Sequence, residues 1–152
     1  GFVTAMDVRA ERTGWRDAAL SERHRRWGWD CPALDMDFIM LEYDEGKATA
    51  IVEYKNEHAA PQYPTRANYR ALKDIGDRAG LPVFAVRYAD DFTWFSVFPL
   101  NNKAREFVGS KTSMSEVGWV SLLYRTRGKE SRRTSASRWS AASHGDVTHG
   151  RQ

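Results

Sequence analysis

The chain has 152 residues, 41% hydrophobic and 12% aromatic, with a net charge of +3. Those figures fit one globular domain with a sizeable core and exclude a low-complexity or fibrous polymer. No apolar run approaches a membrane span and no basic-then-apolar leader is expected, so a membrane partner is not expected either. Cys31 is the single cysteine, which excludes an internal disulfide or a Cys-rich zinc site and fits a reducing, intracellular setting.

From the N-terminus, "TGWRDAALSERHRRWG" reads as a helix over 13–28. Thr13 caps it, Asp17 lies in the first turn, and Leu20, His24 and Trp27 make an apolar stripe before Gly28 ends it. "WDCPAL" is a connector, because Pro32 forbids further helix. "DMDFIMLEY" and "ATAIVEYK" then flank "DEG" as a hairpin. Both arms are apolar on each face, the pattern of central strands. "TRANYRALKDIGDRAG" is a second helix with Tyr69, Leu72, Ile75 and Ala79 as its apolar stripe, stopped by Gly80 and Pro82. "PVFAVRYA" and "FTWFSVF" are two more strands around Asp90 and Asp91. "NNKAREFVG" is a short helix capped by Asn101 or Asn102, and "SMSEVGWVSLLYRTRG" is a last helix with a Ser113–Glu116 capping box. This order gives an α/β fold, a sheet covered by helices.

The charge is unevenly spread. Residues 125–152 carry seven Lys/Arg against two Asp/Glu, leaving 16 basic and 18 acidic side chains in the body. The Ser-, Arg- and Gly-rich end reads as a flexible tail over 129–152, behind a folded domain over 1–128. A basic tail of this kind can add phosphate contacts to a nucleic-acid binder, or be a plain solvated terminus.

The hairpin poses the chemical question, since Asp35, Asp37, Glu53 and Lys55 sit within its apolar arms. Buried charges are costly unless they are paired or hold a metal. Turn length sets which of them meet. A three-residue loop of Asp44, Glu45 and Gly46 puts glycine at the left-handed third position and pairs Tyr43 with Lys47. In that register Asp37 faces Glu53 and Asp35 faces Lys55, with Asp37, Glu53 and Lys55 on one side of the sheet.

An Asp followed on the next strand by Glu-x-Lys, written here as Asp37 and then "IVEYKN", resembles the PD-(D/E)xK nuclease superfamily. The likeness covers roughly residues 13 to 100 and is similar in texture to small nucleases of bacteria and their phages. It implies a restriction-endonuclease-like core, a mixed central β-sheet flanked by helices, and Mg²⁺- or Mn²⁺-dependent hydrolysis of DNA. It further implies that Asp37, Glu53 and the backbone carbonyl of Tyr54 ligate the metal, while Lys55 acts on the attacking water and phosphate. A hard cation prefers such oxygen ligands and can both neutralise a phosphate and activate water. Asp35 stands as a second ligand, as the salt-bridge partner of Lys55, or as the motif aspartate itself. Members often carry a first-helix glutamate, for which Glu22 and Glu11 are the candidates. Arg23, Arg26, Arg66 and Asn68 are candidate nucleic-acid contacts, and dimerisation or a partner is one way for so small a domain to be targeted. Two other readings stay open: a nuclease-fold protein that binds nucleic acid or a partner protein without cutting, and an interaction domain whose charges form a structural network.

Overall fold

The computed structural model describes residues 18–28 and 30–128. The Thr13 cap, Asp17, Glu11 and the tail over 129–152 lie outside the described residues. The chain divides into two units, residues 1–35 and 36–152. In the first, α1 (Ala18–Trp27) buries none of its residues. Its expected apolar stripe is open, with Leu20 and Trp27 both exposed and His24 set edge-on against the Trp27 ring.

The second unit is a five-stranded sheet in the order β1 (Phe38–Glu42), β2 (Lys47–Asn56), β3 (Val83–Tyr88), β4 (Phe95–Pro99) and β5 (Thr112–Met114). β2 and β3 run parallel, and the other neighbours are antiparallel. Parallel neighbours need a crossover, and α2 (Ala67–Ala79) supplies it. The helices α3 (Asn102–Arg105) and α4 (Glu116–Arg125) follow β4 and β5. The expected α/β class, with helices flanking a mixed sheet, is what forms.

Two apolar layers hold it. Beneath α2, Ile51, Val83 and Leu100 meet Tyr69 and Leu72, with Met36, Ala85 and Phe98 packed alongside. On the other side, Ala50, Val52, Phe84, Val86, Phe95 and Val97 meet Ala104, Trp119 and Leu122. β2 is therefore covered on both sides, as its unbroken run of buried residues from Ala50 to Val52 requires.

Four expectations need correction. β1 is an edge strand and not a central one, leaving Phe38, Ile39 and Leu41 about half exposed. In α2, Ile75 and Ala79 are exposed and the buried stripe is Tyr69, Leu72 and Gly76. Gly76 approaches β3 so closely that a Cβ there would meet Val83 Cγ2 at 2.2 Å. The cap of α4 is Ser115, whose hydroxyl accepts from the Gly118 amide, because Ser113 is taken up in β5, a strand the polar "TSM" did not announce. At the hairpin, the loop is one residue longer than expected, and Glu42 pairs with Lys47.

That last difference has a cause and a remedy. The buried Glu42 carboxylate accepts from the amides of Asp44 and Glu45 at 2.9 and 3.3 Å, and Arg127 pairs with it at 3.5 Å. The turn opens to admit it, with Gly46 left-handed at φ 64°. A bulge then adds Thr49 to β2, so Leu41 faces Ala48 but Met40 faces Ala50. Beyond the bulge the pairs are Ile39 with Ile51 and Phe38 with Val52. The ladder stops there; continued by one step, that register would set Asp37 against Glu53.

Candidate active site

β1 begins at Phe38, just after Asp37, and the Asp37 side chain takes over beyond that end of the backbone ladder. Its Oδ2 accepts the Tyr54 amide at 3.0 Å. The carbonyl of a strand residue leaves on the same edge as its amide, so the Tyr54 carbonyl faces the Asp37 side as well. The segment is fixed from both sides. Met36 packs into the layer beneath α2, and the Phe38 ring meets the Tyr54 ring edge-on at 5.5 Å.

Tyr54 is itself anchored away from the carboxylates. Trp119 Nε1 donates to its hydroxyl at 2.9 Å, and the Tyr88 and Trp119 rings stand edge-on to it. Burial pushes its phenol pKa up, with the Trp119 bond opposing that shift. The aromatic grip steadies the backbone from which Glu53 and Lys55 project to the opposite side.

Glu53 and Lys55 share their side of β2 with Ile51, which lies beneath α2. The Lys55 ammonium sits 3.5 Å from Glu53 Oε2. The other oxygen, Glu53 Oε1, is buried with no hydrogen-bond partner. Burial holds the Glu53 pKa above the ordinary carboxylate value, Asp37 raises it further, and Lys55 pulls it down. An acid pair that destabilises its own ionised form, with one buried oxygen unspent, fits a hard cation. The Tyr69 phenol is raised as well, by burial and then by Glu53, which sets it among the same charges.

The structure thus brings together Asp37, Glu53, Lys55 and the Tyr54 backbone. Asp35 precedes the first rung of the β1 ladder, at Phe38, and Lys55 pairs with Glu53. Arg66 immediately precedes α2 and Asn68 lies in its first turn, both exposed. Arg23 and Arg26 are exposed on α1 of the first unit, where Glu22 pairs with Arg25 and Arg26 at 3.4 and 3.8 Å.

Sequence reasoning missed what holds the chain after β2. Arg87 donates to the carbonyls of Asn56, Glu57, Ala59 and Ala60. Asn56 and His58 hydrogen-bond the Asp90 carboxylate, and Glu57 accepts the Asp90 amide. Glu57, His58 and Asp90 could jointly ligate an ion, but all the geometry shown is accounted for by tying the 56–60 loop to the β3–β4 turn. The hydrogen bonds from Asn56 and His58 hold the Asp90 carboxyl below its usual range. An arginine in the middle of an apolar strand was the available signal.

Beside Lys55 the sheet opens into a cavity of about 260 Å³, lined by Lys55, Tyr69, Arg87, Ser96, Phe98 and Lys111 among others. Compared with protein-family models, curated proteins and solved structures, the chain matches none.

Proposed function

We propose that this protein is a metal-dependent nuclease with a restriction-endonuclease-like core, hydrolysing phosphodiester bonds of DNA. The observation that carries the proposal is the Asp37–Glu53–Lys55 group, in which Glu53 keeps a buried, unpartnered oxygen beside a second carboxylate. In support of the fold, the Asp precedes an edge strand, Glu-x-Lys lies on its antiparallel neighbour, and a helix then crosses over to a parallel strand.

Asp37, Glu53 and the Tyr54 carbonyl would hold Mg²⁺ or Mn²⁺. When bound, the ion supplies Lewis-acid charge at the phosphate and makes water easier to deprotonate. Lys55 supplies a fixed positive charge next to that group. In the resting protein its ammonium offsets the acid pair, and during reaction it turns toward the charge that builds on the phosphoryl oxygens. Arg66 and Asn68 offer exposed groups at the start of α2 for the DNA backbone.

The test is incubation with labelled linear, nicked, single-stranded and branched DNA in Mg²⁺, in Mn²⁺ and in chelator. Cleavage that needs the ion and is lost in Glu53→Gln supports the reading. Binding of DNA with no cleavage under any of these conditions would instead mark a nuclease-fold protein that binds without cutting.

A further inference from the structure

We infer that the cavity beside Lys55 receives one unstacked nucleotide adjoining the phosphate under attack, so that unpaired strands or strand ends are preferred over continuous duplex. The inference rests on the phosphodiesterase reading of the neighbouring carboxylates and narrows its substrate. The cavity measures about 260 Å³, under the roughly 300 Å³ at which clefts for drug-sized ligands begin. A paired double helix cannot enter such a space, whereas one planar base with its sugar and phosphate is of that scale.

Its chemistry has the same two-part character. Phe98 and Tyr69 contribute aromatic surface from β4 and α2, against which a base can stack. Ser96 and Gln62 add a hydroxyl and an amide able to read a base edge. Lys55, Arg87 and Lys111 bring three positive charges, and among the described residues no carboxylate lines the space. Arg87 gives its N–H groups to the loop carbonyls, yet its charge remains. Lys55 both lines the cavity and pairs with Glu53 at 3.5 Å. A phosphate drawn to Lys55 leaves its neighbouring base facing Tyr69 and Phe98. A base stacked inside a duplex has to be extruded first, which costs unstacking and unpairing energy, and an unpaired strand avoids most of that cost.

The test measures binding of deoxyadenosine 5′-monophosphate, deoxyribose 5-phosphate and inorganic phosphate to the full chain in chelator. Wild type, Lys111→Ala and Ser96→Leu are compared, the first removing an exposed charge and the second filling the space. The mononucleotide should bind roughly tenfold or more tightly than deoxyribose 5-phosphate, the scale of one base–aromatic contact. Lys111→Ala should weaken it by roughly tenfold, as loss of a charged hydrogen bond does. Ser96→Leu should abolish mononucleotide binding while circular dichroism shows a native fold. Equal affinity for phosphate and mononucleotide overturns the proposal, as does mononucleotide binding indifferent to both substitutions. Mn²⁺-dependent hydrolysis of bis(p-nitrophenyl) phosphate is measured in parallel, because that small diester needs no nucleotide cavity. Its absence in wild type counts against the phosphodiesterase reading itself, whereas hydrolysis without nucleotide binding defeats the cavity inference alone.

Discussion

Substituting alanine at Gly76 and at Gly118 should have opposite effects, although both glycines lie in helices. At Gly76 a Cβ would stand 2.2 Å from Val83 Cγ2, 3.0 Å from the Leu81 carbonyl and 3.1 Å from Asn101 Nδ2. Val83 is fully buried and β-branched, so its methyl has nowhere to swing. Forcing a methyl into a packed core costs about 1–3 kcal/mol, and relieving the crowding also disturbs the Asn101 bonds. Replacing a helical glycine returns only about 1 kcal/mol. These two terms leave a net loss of up to about 2 kcal/mol for Gly76→Ala, to which the disturbed Asn101 bonds add, and about 2 kcal/mol lowers Tm by about 8–15 °C in a unit of this size. At Gly118 the nearest atoms are Met114 Cβ at 3.4 Å and Ser115 Oγ at 3.5 Å, which is ordinary contact. The amide that Ser115 caps survives the change, so Gly118→Ala should be neutral or stabilise by up to about 1 kcal/mol. Urea and thermal unfolding of both variants decide the matter. If Gly76→Ala is as stable as Gly118→Ala, α2 does not seat on β3 as closely as described, and Tyr69 is not held where the site requires it.

Glu53→Gln should raise stability in chelator at neutral pH. The folded state holds the Glu53 proton more tightly than the unfolded chain does, so wild-type stability falls as pH rises from the ordinary carboxylate value through the raised folded one. Urea midpoints across that window should slope downward in wild type and less so in the variant. Lys55→Met should retain the thermal shift caused by Mn²⁺ and lose DNA cleavage by roughly a hundredfold or more, the scale of losing one electrostatic stabiliser; loss of the shift too would make Lys55 a structural residue. Asn101 is fully buried, accepts from the Val83 and Ala104 amides and donates to the Leu81 carbonyl and Asp77. Asn101→Ala strands several of these groups at about 1–3 kcal/mol each, so a destabilisation under 1 kcal/mol in urea would contradict its role.

The carboxylate register was legible because side-chain alternation and burial constrain it, not because the turn was read correctly. The loop has four residues where three were expected, and the Thr49 bulge cancels the difference before Asp37 is reached. Neither the buried Glu42 at the turn nor the bulge has a local sequence signature, and the Arg127 that pairs with Glu42 arrives from beyond α4. Apolar content misled at β1, where Phe38, Ile39 and Leu41 resemble a central strand but form an exposed edge. It misled again in α2, where a glycine takes the place of Ile75 in the core because proximity to β3 outweighs side-chain size. The short β5 is polar and was invisible to periodicity. Arg87 and the cavity beside Lys55 depend on three strands and a loop converging, which no local pattern records.

The central claim is that Asp37 and Glu53 jointly hold a catalytic cation. The most direct measurement is isothermal titration of Mn²⁺ into wild type, Asp37→Asn and Glu53→Gln, with DNA hydrolysis assayed on the same samples. The account predicts one ion per chain in wild type, with binding and hydrolysis lost together in each variant while circular dichroism stays native. Undiminished Mn²⁺ binding or undiminished hydrolysis in either variant would contradict it.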